Sequence, residues 1–260
     1  MIALLTVLLA SPLAHAGELD GGNALEGYRI GQVENGSGVG LYNRFVVGPS
    51  GGVTALHFTA RYGDPDGPIS GSVTFPVATH DTPTGRQIDA GNLELAGYYH
   101  LPKIGGLTHS VGLELHARVT ERAYTWVNEP EEFWPGAGVT GVWQGQIEKD
   151  KLTWLLRGSI GVHSAAPYDP YPASYLRVAA SGAADYALNK RFGLVGEMSV
   201  SYWDLSPWEL AGLVRVDAMK GVRGRAGIVL PLAVWAGATP TVQGAGVREA
   251  TLMLDVSTAF

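Results

Sequence analysis

Arginines and carboxylates recur at alternate positions along this sequence, and that spacing is where its chemistry could lie. Arg44, Arg61, Arg118, Arg157, Arg177, Arg215, Arg223 and Arg225 fall on the polar parity of their segments. So do Glu94, Glu114, Glu148, Asp185, Glu197, Asp217, Glu249 and Asp255. Successive residues of an extended strand point to opposite faces, so side chains of one parity gather on one surface. Around a common space they make one of two things. One is an aqueous pore whose fixed charges act on passing solutes. The other is an interior filled by ion pairs and hydrogen bonds. The spacing leaves both open.

Catalytic constellations are weaker. His109-Ser110 and His163-Ser164 suggest an acyl hydrolase, but strand neighbours face opposite ways and a general base must reach its nucleophile. Neither dipeptide can form its own pair, which leaves only a His–Ser contact between strands. His80, Asp81 and Asp89, around Thr82-Pro83-Thr84-Gly85, offer an aspartyl protease-like alternative. Pro and Gly there are better explained as turn formers. His57, His100, His116 and His163 share the arginine parity without metal-ligand spacing, and hydrogen-bonded histidines account for them. The glycine-rich runs at 36–40 and 244–246 lack the Gly-Lys-Ser/Thr of a phosphate loop. No catalytic residue, metal or cofactor is assigned.

Composition narrows the class of protein that holds these residues. The 260 residues are 46% hydrophobic and 16% charged, with 36 Gly, no Cys and a net charge of −6. That hydrophobicity excludes intrinsic disorder, and the glycine content argues against helices. Without cysteine there is no disulfide framework or thiolate site. An acidic balance gives no footprint for nucleic acid.

The period along the chain is two. Leu107, Val111, Leu113, Leu115 and Val119 alternate with Thr108, Ser110, Glu114 and Arg118, and 152–162 and 222–236 behave alike. Such alternation marks a strand with two unlike faces. Twelve segments qualify: 39–47, 53–62, 69–79, 88–101, 107–119, 138–148, 151–163, 174–188, 191–204, 208–219, 222–236 and 246–260. Most exceed the usual strand length and suit a tilted bilayer crossing. The expectation is an all-β fold, a closed antiparallel up-and-down transmembrane β-barrel of twelve strands. Asn43 interrupts the apolar face of the first segment, so ten strands is the alternative.

The connections alternate in length. Gly63–Pro68, Pro102–Gly106, Lys149-Asp150, Asn189-Lys190 and Lys220-Gly221 are short, while 120–137, 164–173 and 237–245 are long; Gly48–Gly52 and Ser206-Pro207, of the second set, are also short. Membrane barrels sort their loops in this way, with short turns in the periplasm and long loops outside. Ile2–Ala10 followed by Ala14-His15-Ala16 reads as a signal peptide over 1–16. Residues 17–37 form a polar periplasmic lead-in, and 38–260 the barrel.

The final strand carries a resemblance. Leu252, Leu254, Val256 and Phe260 alternate up to a terminal aromatic, which resembles the C-terminal assembly signal of Gram-negative outer-membrane β-barrel proteins. The resemblance implies recognition by the barrel-assembly machinery and residence among outer-membrane lipids. Trp154, Tyr202, Trp208, Trp235 and Phe260, near segment ends on the apolar parity, suit interfacial girdles. The function expected is a passive channel for small solutes, with Arg215, Arg223 and Arg225 favouring anions. The alternatives are a lipid- or peptide-hydrolysing enzyme and a surface-interaction barrel using Trp126, Phe133 and Trp134. Nothing in the sequence sets the oligomeric state.

Overall fold

The structure, a computed structural model, describes residues 37–48, 51–64, 66–82, 85–90, 93–117, 136–165, 174–202, 208–219, 221–233 and 251–259. The strands are β1 (Gly38–Gly48), β2 (Gly51–Gly63), β3 (Ile69–Thr82), β4 (Gly85–Ala90), β5 (Leu93–Ile104), β6 (Leu107–Ala117) and β7 (Gly136–Lys149). They continue as β8 (Leu152–Ala165), β9 (Ser174–Ala187), β10 (Phe192–Tyr202), β11 (Trp208–Met219), β12 (Val222–Ala233) and β13 (Thr251–Ala259).

Each strand pairs antiparallel with its neighbours, and β1 joins β13 from Gly38↔Ala259 to Val46↔Thr251. With β1 also on β2 and β2 on β3, the sheet closes on itself as a twelve-strand barrel. Closure removes the exposed edge that any open sheet presents. Asn43 does not break the first strand: it pairs with Leu254 on one side and Leu56 on the other, so the ten-strand alternative falls.

The segment expected at 88–101 is two pieces, β4 and β5, that share one position in the wall. Both pair with β3, through Val77↔Ala90 on one side of the break and Thr74↔Glu94 on the other. Those partners leave one more residue on the β4–β5 side than on β3, which is the arithmetic of a bulge. Pro76 lies on β3 within that interval. It has no N–H to give the ladder, which explains why regular pairing lapses there.

The short turns obey local chemistry. Gly105 and Gly106, between β5 and β6, have φ of 56° and 87°, and a tight hairpin needs such left-handed residues. The ends of β6, β8 and β12 at Ala117, Ala165 and Ala233 lie at the opposite end of the barrel from this turn, and the longer connections in sequence follow from them. The connection between Gly48 of β1 and Gly51 of β2 is a short one at that same end.

Packing is inverted relative to a globular sheet. Leu113 and Leu115 are 59% and 49% exposed, while Glu114 between them is 1% exposed. The same order holds around the wall, with Ile160, Val162, Leu252 and Leu254 exposed and Arg157, Ser159 and Asp255 buried. Aliphatic side chains clothe the outside and polar ones fill the inside. Residues 1–36, Arg118, Trp126, Phe133, Trp134, Trp235, Glu249 and Phe260 lie outside the described residues, as do the side chains of Arg44, His163, Tyr202 and Trp208.

Candidate functional site: the charged interior of the barrel

The inner wall carries two ionic clusters. The first joins β5, β6 and β8. Arg157 donates through Nη2 to both Glu114 oxygens, each at 2.8 Å. The Tyr98 hydroxyl donates to Glu114 Oε1 at 2.6 Å. Arg157 reaches Glu114 across β7, where Gln144 stands opposite Arg157 and Thr140 opposite Glu114. Tyr98 lies over Gly112, its register partner. A Cβ at Gly112 would collide with the Tyr98 ring and the Gly97 carbonyl. Beside this cluster Gln144 Nε2 donates to Ser110 Oγ at 3.0 Å, and His116 Nδ1 lies 3.4 Å from Glu94.

The second cluster spans β9 to β13. Arg215 Nε donates to Asp185 Oδ2 at 2.6 Å, reaching over β10. Gly193 on β10 permits that reach, because a Cβ there would stand 2.5 Å from the guanidinium. Asp217 is shared: it accepts from Arg215, and from Arg223 Nε at 2.7 Å. Arg225 faces Asp255 across the β12–β13 ladder, with Nη2 2.8 Å from Oδ2. Its Nη1 lies 3.6 Å from Glu197, across β11.

These pairs link strands no more than two places apart, so each lies along the wall. A buried charge is tolerated only when paired and hydrogen-bonded, and the alternation of acids and arginines on adjacent strands supplies those partners locally. Arg215 and Arg225 stand opposite each other in the β11–β12 ladder. Their repulsion is offset because each turns to carboxylates on other strands.

Of the other lining residues expected from sequence, Arg177 is buried and Arg61 half-buried at the turn end of β2. Among the described residues the histidines do not converge. His57 is fully buried, whereas His100 Nε2 and Ser70 Oγ lie 2.7 Å apart. This is a His–Ser contact between strands, made by neither dipeptide that suggested one. Ser70 is 3% exposed, so an ester has no access to its hydroxyl. The side chains of His80, Asp81 and Asp89 lie outside the described residues.

Sequence reasoning missed two features. Tyr98 shares the parity of Glu94 on β5, a signal that was present in the spacing. The other is an apolar group within the wall, formed by Leu155, Ala183, Val195, Ala211, Leu213, Val229 and Met253. The interior from β8 to β13 is therefore partly aliphatic, a departure from the wholly polar lining that alternation implies.

No protein-family model matches the chain, and no curated protein matches it. Solved structures do. The NanC porin aligns with a TM-score of 0.54 and 10% identity, over 85% of this chain and 98% of that one. The KdgM porin aligns with 0.50 and 11%, over 85% and 99%. An outer-membrane channel from Pseudomonas putida F1 aligns with 0.55 and 12%, over 89% and 99%. At such identities the likeness is one of fold: this chain is a closed antiparallel β-barrel of their architecture.

Proposed function

We propose that this chain is an outer-membrane barrel that lets small solutes pass passively through a narrow, charge-lined lumen. The observation that carries the reading is the inverted packing, with Leu113 and Leu115 exposed and Glu114 buried between them. In water a face of exposed Leu, Ile and Val would be costly. In hydrocarbon it is the favoured surface, and a closed barrel satisfies every backbone donor and acceptor there. Exposed Tyr62, Tyr99, Trp154, Tyr186 and Phe192 suit the interfacial belt of such a barrel.

Size supports a passage. Twelve strands about 4.8 Å apart and tilted by roughly 40° give a backbone diameter of about 24 Å. Ion pairs that hug the wall do not bridge that width. That two porins and a channel share the fold also supports the reading. A second reading has one observation in its favour: Glu114, Arg157, Arg215, Arg225 and Asp255 are buried, as they would be in a barrel stiffened by its own side chains.

Purified protein in a planar bilayer separates the two. The channel reading expects discrete conductance steps in KCl, and complete silence from folded protein would overturn it. The reading also takes the outer-membrane lipid and the barrel-assembly machinery as partners, with 1–16 as the exported chain's signal. Phe260→Asp is then expected to remove most of the heat-modifiable folded form from the outer membrane while export persists. Folded protein at wild-type levels would count against the terminal signal.

A further inference from the structure

The interior ionic network is dry along most of its course and wet at one end. Side chains of Arg157, Glu114, Arg215, Asp185, Arg225, Glu197 and Asp255 are at most 8% exposed in their ion pairs. Asp217 and Arg223 differ: they are 23% and 18% exposed, though paired to each other. They face each other in the register of β11 and β12. Arg223 is the second residue of β12, so the pair sits just inside the mouth formed by the short turns.

On the channel reading, we propose that Asp217 and Arg223 are the pair that sets ion selectivity, and that the buried arginines contribute little. A permeating ion feels a charge according to its exposure and its distance from water. Arg215 is clamped by Asp185 and Asp217, and Arg225 by Asp255 and Glu197, so each buried guanidinium is neutralised. Asp217 is shared between Arg215 and Arg223, and both it and Arg223 remain within reach of the solution. The native balance at that point is near zero, and selectivity is correspondingly weak. Loss of Asp217 therefore shifts the net charge at that mouth toward positive, and loss of Arg223 shifts it toward negative. Charges within the turns, such as the exposed Asp66 between β2 and β3, act across open electrolyte. There the field decays over about 10 Å at 0.1 M salt.

The test is reversal potential under a KCl gradient, with the intact protein in planar bilayers. Wild-type protein should discriminate weakly between potassium and chloride. Asp217→Asn should raise the chloride-to-potassium permeability ratio about threefold, and Arg223→Gln should lower it by a similar factor. Asp66→Asn should leave it unchanged. If Asp217→Asn does not fold, Arg223→Gln carries the sign of the effect alone. Because the chain lacks cysteine, depth can be read independently. Arg223→Cys should react quickly with a charged aqueous thiol reagent, and Arg225→Cys slowly. Conductance with unshifted potentials overturns this assignment and leaves the channel standing. Equal reactivity at the two cysteines overturns it as well, by removing the difference in exposure. A silent wild-type protein overturns the channel reading first.

Discussion

Glu114→Leu is expected to destabilise the folded barrel by about 3–5 kcal/mol, the usual cost of removing one partner from a buried ion pair. The side chains of Glu114 and Arg157 are 1% and 4% exposed, so water cannot replace the lost carboxylate. Tyr98 loses the same acceptor. The penalty lies in what is stranded, more than in the bond itself. The triple change Glu114→Leu, Tyr98→Phe and Arg157→Met should therefore recover most of the loss, since a buried pair and a well-packed apolar set are often close in energy. Urea midpoints of the refolded protein in detergent would measure both. A single change within about 0.5 kcal/mol of wild type, inside the range of ordinary surface substitutions, would show that the pair is not buried.

Gly227→Ala should be the most damaging of the small substitutions. An added Cβ would run into the Gly212 carbonyl oxygen, and would stand 2.7 Å from Leu213 Cα. Both obstacles are backbone, held by the β11–β12 ladder, so neither can swing aside. Overpacking of this kind costs roughly 1–3 kcal/mol. Gly158→Ala is the matched control, because nothing lies within 4 Å of its added carbon. In a strand that change is neutral or favourable by up to about 1 kcal/mol. Equal thermal stability of the two variants would contradict the close approach at β11–β12.

Much of the fold was legible because a membrane barrel writes its two environments into alternate residues. Leu113, Glu114 and Leu115 show it in three letters, and the strand count follows from how often the pattern recurs. Loop parity was legible because short turns need little more than Gly105-Gly106. What alternation could not convey is geometry between strands. It marked Arg157 and Glu114 as facing inward, yet their contact spans β7, with Gln144 opposite Arg157 and Thr140 opposite Glu114. It marked Arg215, Arg223 and Arg225 as one basic group and read them as an anion filter. The structure gives Arg215 to Asp185 and Asp217, Arg225 to Asp255 and Glu197, and Arg223 to the same Asp217 at the mouth. The β4–β5 break was illegible for a similar reason, since its cause, Pro76, lies on the partner strand.

The most direct test of the central claim follows single cysteines along β10, each labelled with an environment-sensitive fluorophore in reconstituted vesicles. Leu194 and Met198 are exposed outward, whereas Val195 and Glu197 are buried inward. Spin-labelled lipid should quench the probe strongly at Leu194→Cys and Met198→Cys, and weakly at Val195→Cys and Glu197→Cys. A period of two is the predicted result. Uniform quenching along β10, or strong quenching at Val195 and Glu197, would contradict a barrel that turns its leucines to lipid and its charges inward.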